Sequence, residues 1–520
     1  MAANAANSKK TVADPNAAYE SVRALWDRSR AVCGGDKYVK EYDGLLDKVF
    51  FSNLLIPFSP YMTQEQYSFY KAEAELPGIT KEYAKIIKGG LLRKPPQIML
   101  PKALPAEALE WITSQFGEDN SSMIAFLDSA IEDEIKAKTW VYVDYPVVNV
   151  DTVTPEELKA LKPYAVLWSG ESVINWSFTN GPDGSRILKT VVVRGFSEID
   201  GDNEFHKKLV STVWVHELVE GKYQIRTFTK KNNEAQVPVI NGQTREQIHT
   251  AASGDYELTD TNVNILMNGE RLTVIPAWPL NGSVAPSEPL LNTIVDREIA
   301  LYNKVSRRNH LLYGAATYTP VISSDMADEK KDEIVESGLG SWIMLARGDT
   351  ASCLATPTEA LSDMEKAIAS GISEIARLGV RMLAPESIQS GVALEIRDAP
   401  QTASLGILNT RISAQMADVI CFMLNWKYNM KLKTSEVEFT LSPDFNPTPL
   451  GADWLRLVTE WYQNGLIPRS EWLSIGKHND IISADYNDED GQKEINDDSL
   501  IVNPREQADY AKQLASQMAK

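Results

Sequence analysis

Five histidines, three cysteines and one acidic loop have the clearest chemical reach in this 520-residue chain. The histidines are His206, His216, His249, His310 and His478. None belongs to an HExxH pair, and no GxSxG elbow, phosphate-cradling GxxxxGK[ST] loop or GxGxxG turn after a strand is present. His216 alternates with Trp214 and Leu218 along one strand-like run, which points to a packed histidine. His206, beside Lys207 and Lys208 near a turn, reads as exposed. Cys33, Cys353 and Cys421 are far apart and form no CxxC or Cys/His cluster, as expected of a chain without disulfides or structural zinc. Cys421, in the apolar run VICFML, reads as a small buried hydrophobe. The stretch YNDEDGQKEIND, 486–497, has Asp488, Asp490 and Gly491 in calcium-loop register. It starts with Tyr486 where a carboxylate belongs and ends on Asp497 where a bidentate Glu belongs, so it reads as a solvated acidic loop. These residues point to no cofactor, no metal and no catalytic site.

Charge narrows the classes further. The net charge is −19 and the pI near 4.9. A tight nucleic-acid binder needs Lys and Arg to neutralise phosphates, so firm DNA binding is disfavoured. Basic clusters such as KGGLLRK, SRRNH and KYNMKLK are short and lack the interleaved aromatics of a strand-binding groove. The N-terminus has no apolar signal-like core, and no run of 18 apolar residues occurs.

Two further segments need a reason to exist. APESIQSGVALEIRDAP, 384–400, joins two strongly helical segments, although helix connections usually run about 2–8 residues. SSDMADEKKDEIVESG, 323–338, is a run of mixed charge.

The elements around them follow from periodicity. Residues 1–18 read as a flexible arm. Helices follow, including TKEYAKIIKGGLLRKPP, with Thr80 as its cap and Gly89-Gly90 and Pro95-Pro96 as its stop. At Thr139 the period changes from 3.6 to 2. TWVYVDYPVVNV, ESVINWSF, LKTVVVRGFSE, VSTVWVHELVE, KYQIRTFTK and RLTVIPAWPL read as strands, punctuated by NGPDGS, IDGDNE and Glu220-Gly221. Three long helices come next. The first has Ser287 as cap and Pro289 in its first turn. The second opens on a capping box, Thr356 to Glu359, with Pro357 at its first position. It carries a narrow apolar stripe of Leu361, Met364, Ile368, Ile372, Ile375, Leu378 and Met382. The third carries Leu405, Leu408, Ile412, Met416, Val419, Met423 and Trp426. SEVEFTLSPDF reads as a strand, and the C-terminal part as helical. Length suggests three or four domain-sized units, and the pattern gives an α+β class without repeated βαβ units.

This order of elements resembles the portal protein of tailed bacteriophages. The phrases GLLRKPPQIMLP, ESVINWSF, VIPAWPLNGSVAPSEPLLNTIVDREIALYN, GLGSWIMLARG, ARLGVRML and DFNPTPLGADWLRLVTEWYQNGLIPRSEWL are similar to a portal-like phage and prophage group. The resemblance implies a portal fold: an antiparallel-sheet wing at 19–285 and 401–446, stem helices at 286–314 and 357–383, a small mixed clip at 315–356, a tunnel loop at 384–400 and a helical crown at 447–520. It implies a ring of this chain, usually a dodecamer, at one vertex of the virion capsid, assembled in the host cytoplasm. Double-stranded DNA would pass through it during packaging and ejection. The implied partners are the major capsid protein, a scaffolding protein, the terminase large subunit and a head–tail adaptor. Tunnel-loop residues Ser387, Gln389, Ser390, Glu395 and Arg397 would line the DNA channel. Asp325, Glu329, Lys330, Lys331, Asp332 and Glu333 would lie in the clip, where partners dock. Leu361, Met364, Ile368, Ile372, Ile375 and Met382 would lie in the contact between subunits, because a closed ring can bury a stripe that a single chain leaves exposed. Another ring-forming virion component, such as an adaptor, or an enzyme with an unrecognised site remain the alternative classes.

Overall fold

The architecture is that of a computed structural model. It describes residues 11–45, 54–59, 61–146, 161–181, 184–203, 206–230, 256–263, 265–267, 269–316, 319–323, 350–354, 359–383, 391–441, 452–465, 467–469, 472–473 and 482. Helices α1 (Ala17–Gly34), α2 (Asp36–Leu45), α3 (Gln64–Glu73) and α4 (Ile79–Leu91) come first. Strand β1 (Gln97–Met99), α5 (Glu107–Ser114) and α6 (Met123–Lys136) lead into the strand-rich part. There β2 (Thr139–Asp144), β3 (Tyr164–Ser169), β4 (Val173–Asn180), β5 (Arg186–Asn203), β6 (His206–Val219), β7 (Lys222–Lys230), β8 (Tyr256–Asn262), β9 (Leu266–Met267), β10 (Glu270–Arg271) and β11 (Ala277–Pro279) follow. Next are α7 (Asn292–Ala316), β12 (Thr319–Ser323), β13 (Thr350–Leu354), α8 (Glu359–Leu383), α9 (Gly391–Tyr428), β14 (Glu438–Thr440) and α10 (Ala452–Gln463).

The α+β class expected from the sequence is the observed one. Strands β4 to β8 form an antiparallel meander in chain order. Its β6–β7 hairpin closes on Glu220 and Gly221, both at positive φ (50° and 73°), pairing Val219 with Lys222. Two positive φ values suit the right-handed twist of paired strands, and Gly221 takes the second without a steric cost. Val213 and Val215 point to one face of the sheet, where α1 packs Tyr19 and Trp26 against them and Ile174. Trp214 and His216 point to the other face. A second sheet, ordered β11-β2-β3, has β2 buried on both faces except at Asp144. Short ladders join β1 to β14, β9 to β10 and β12 to β13.

The chain divides into two compact units, Met1–Pro443 and Asp444–Lys520, not the three or four that length suggests. The reason is that the three long helices pack back on the rest of the first unit: α7 on α1, α3 and α4, α8 on α4, and α9 on β2, β11 and β14. In the second unit Tyr462 of α10 stacks on Trp472 with ring centroids 5.3 Å apart.

Several boundaries differ from those read in sequence. The supposed arm is ordered from Thr11: Ala13 is fully buried and the Asn16 amide donates to the Ile174 carbonyl at 2.8 Å. Helix α7 starts at Asn292, so Ser287 does not cap it. The Ser287 carbonyl accepts from Trp26 Nε1 at 2.8 Å, and Lys138 Nζ donates to the Ser283 and Ala285 carbonyls, anchoring this non-helical stretch. Thr80 does not cap α4 either; Gly78 precedes the helix and offers no side chain. RLTVIPAWPL supplies only β11 and the end of β10, and SEVEFTLSPDF only β14. Strands β1 and β8 were not legible as such. Helix α9 begins at Gly391, not near residue 401. Pro400 lacks an N–H, yet it lies inside the helix, so the connection after α8 shrinks to 384–390, outside the described residues.

Candidate assembly elements

Helices α7 and α8 form the arrangement with most functional content. They pack side by side, and two contacts fix their direction. Arg297 pairs with Glu374 at 3.3 Å, and a Cβ placed on Gly371 would meet Leu301 Cδ1 at 3.2 Å. Residue numbers fall on α7 as they rise on α8, so the helices run antiparallel. The absent side chain at Gly371 lets Leu301 approach the α8 backbone closely. At the far end, β12 and β13 pair antiparallel from Thr319–Leu354 to Ser323–Thr350. The two helices thus lead out to and back from the chain between Ser323 and Thr350.

The apolar stripe of α8 is used mostly within the chain. Ile368 and Ile375 are buried, at 8% and 1% exposure, and Leu361 and Met364 are half-buried. Ile368 and Ile375 are both buried in the single chain, where α8 packs on α7, α9 and α4. Ile372 remains 45% exposed. Met382 lies on α8, and its side chain is outside the described residues.

Other expected site residues are placed as follows. Ser387, Gln389 and Ser390 lie outside the described residues, as do Asp325, Glu329, Lys330, Lys331, Asp332 and Glu333. Glu395 and Arg397 fall in the first turns of α9, so their backbone is helical where a loop was expected. The acidic 486–497 stretch is also outside the described residues. Among the described residues no cluster of three or more His, Cys, Asp or Glu could hold a metal ion, and no helix is long and apolar enough to cross a membrane.

Titratable groups in the interior serve packing. His216 sits among Tyr142, Trp168 and Tyr223, with Nδ1 2.6 Å from the Tyr223 hydroxyl. Burial pushes its imidazole down to about 3, so it is neutral. Cys421 is buried, as read from its apolar run, and burial pushes its thiol up. His310 of α7 lies 3.0 Å from Glu73 of α3.

Three buried polar groups escaped sequence reading. Arg30 of α1 is gripped by Glu171 (Nη2 to Oε2, 2.9 Å) and Asp133. Burial opposes its charge, but those two carboxylates outweigh that and hold the guanidinium above its ordinary value. Lys138 is buried beside Glu134; burial pushes the ammonium down and the carboxyl up, and each charge partly restores the other. Glu298 of α7 is fully buried and accepts from the Ile79 and Thr80 amides at 2.8 and 2.6 Å. It supplies the cap that Gly78 cannot, tying α7 to α4. The partners of Arg30 and Glu298 lie 103 to 219 residues away in sequence, so no local motif announces them.

Comparison with known proteins adds little to this geometry. A family described as "Domain of unknown function (DUF4055)" matches residues 289–427. That span runs from just before α7 almost to the end of α9. No curated protein matches the chain. A solved structure described as "Neck of empty GTA particle computed with C6 symmetry" is 12% identical, covering 79% of this chain and 93% of that chain. Its TM-score of 0.37 is too low to establish a shared fold.

Proposed function

We propose that this chain is the subunit of a closed ring through which double-stranded DNA enters and leaves a virus-like particle, a portal protein of the tailed-phage type. The observation that best supports this reading is the α7–α8 pair. Two antiparallel helices of 25 residues each run out to a two-stranded ladder and return. A still longer helix of 38 residues follows. The α+β body precedes them. That succession agrees with the wing, stem and clip order that the sequence resemblance implies, and it supports the reading.

The physical argument concerns cover. Helix α7 packs on α1, α3, α4 and α8. Helix α8 exposes Ser362, Asp363, Glu365, Lys366, Ala367, Ala369, Ser370, Ile372, Ser373 and Arg377. The small side chains of Ala367, Ala369, Ser370 and Ser373 around the exposed Ile372 leave room for close approach of another copy. In this reading the ring, usually twelve-fold, sits at one vertex against the major capsid protein and scaffolding protein. The 323–338 segment at its rim meets the terminase large subunit and later a head–tail adaptor. The chain carries no hydrolytic chemistry of its own; the motor supplies it.

Mass photometry and negative-stain images of the purified protein test the reading. A ring with a central channel is expected. A 57.8 kDa species alone, over a wide concentration range, overturns it.

A further inference from the structure

The open sides of the α7–α8 pair are not alike, and their difference specifies how two copies meet. The Leu301–Gly371 contact sets the zero of rotation for each helix. An α-helix turns about 100° per residue. Ala300 therefore lies about 100° before the contact on α7, and Ile372 about 100° after it on α8. In an antiparallel pair, opposite rotations of this kind point to opposite sides of the plane containing both axes. Both residues are exposed. Ala300 is flanked on the open side of α7 by Thr293, Arg297, Lys304 and Arg307, spaced by 3 or 4. Ile372 is flanked on the open side of α8 by Glu365, Ala369 and Ala376.

Height along the pair is fixed by the same contact. Because 301 lies opposite 371 and 297 opposite 374, Ala300 is level with Ile372. Lys304 and Arg307 are level with the stretch from Glu365 to Ile368. Rotation about an axis parallel to the helices preserves height, and a closed ring needs two different faces that fit each other. From these faces we infer that α8 of one copy docks on α7 of the next. The Ile372 side chain of one copy seats at Ala300 of its neighbour, between Arg297 and Lys304, and Glu365 faces Lys304 and Arg307. The small side chain at 300 leaves a hollow for the branched side chain at 372. The basic ridge of α7 meets a carboxylate of α8 at its own level, and no ion pair of Lys304 exists among the described residues. The occupant of each face is a second copy of this chain. This inference rests on the ring reading above and gives it a register.

Site-specific cross-linking tests it. Ala300→Cys and Ile372→Cys are made as separate full-length variants and co-expressed with distinguishable tags. Each chain then has one new cysteine, so an intrachain bridge between the two positions is impossible. Both sites are exposed, and unchanged circular dichroism and melting midpoint confirm folding. The inference expects rings in which the mixed sample, on mild oxidation, gives a disulfide-linked heterodimer on a non-reducing gel. Each variant oxidised alone should give at least tenfold less. A second arm reverses charge: Lys304→Glu alone and Glu365→Lys alone should lower ring yield several-fold, and the two variants mixed should restore it. Rings that form without the heterodimer, and in which a maleimide freely labels the new thiol of the Ile372→Cys variant, overturn the register while leaving the ring intact. That outcome assigns the α8 face to another protein. Wild-type monomers at every concentration overturn both the register and the ring reading.

Discussion

His216 shows what a single residue can do when its neighbours are aromatic. Its charged form has no carboxylate among the rings of Tyr142, Trp168 and Tyr223, and its proton affinity is depressed to about 3. The unfolded chain holds an ordinary imidazole near pH 6.5. A depressed folded value means that the stabilisation is full above about pH 6.5 and is lost as pH falls toward 3. Between pH 7 and pH 5 this one group should remove about 2 kcal/mol. His216→Gln should flatten that part of the stability profile, read as the difference in melting midpoint between variant and wild type at each pH. Equal slopes would place the charge elsewhere. Arg30 is the opposite case, a buried charge held by its partners. Glu171→Gln should cost about 3–5 kcal/mol, because it leaves a buried guanidinium half-paired; a urea midpoint at fixed protein concentration measures it. The role of His216 was legible because alternation with Trp214 and Leu218 gives its face. The Arg30 cluster was not, because Asp133 and Glu171 reach it only through the tertiary fold.

Elements were legible where hydrophobic periodicity is strong and less so at their ends. The stripe of α8 gave its existence and its buried side; Ile375 and Ile368 lie where the spacing puts them. The stripe could not say whether the cover is the same chain or another, since helix packing looks alike in both. Helix starts failed where a distant group does the capping. Glu298 replaces the local cap that Thr80 was expected to provide, since its carboxylate reaches two free amides at once. Glu298→Ala should therefore destabilise by about 1.5–3 kcal/mol, the range for hydrogen bonds to a charged group. Hydrogen exchange gives the sharper check: amides at the start of α4 should lose protection first, while β5 and β6 keep theirs. Uniform loss across the fold would mean that Glu298 acts on the core and not on the helix end. The start of α9 failed for another reason. Pro400 is a breaker by propensity, and a 38-residue helix carries one lost hydrogen bond without ending.

At the scale of the whole molecule, charge separates touching DNA from holding it. Each chain carries −19, and a ring multiplies that number by its copies. Phosphates approaching such a body meet repulsion over roughly a Debye length, about 8 Å at physiological ionic strength. Close to the surface, scattered Lys and Arg can attract locally, but their short clusters cannot release many counterions. On the ring reading, the purified protein should therefore bind duplex DNA no tighter than about micromolar at ~0.15 M salt, the ordinary range of non-specific contacts. The binding should fall further as salt rises, because what remains is electrostatic. Fluorescence anisotropy with a labelled duplex, titrated at several salt concentrations, measures both the affinity and the slope. A conduit needs this weakness: every kcal/mol of grip at each step along the duplex would be a barrier that a motor must overcome at the next. Nanomolar binding that survives high salt would mean a surface built to hold DNA, and the conduit reading would fall even if the protein forms rings.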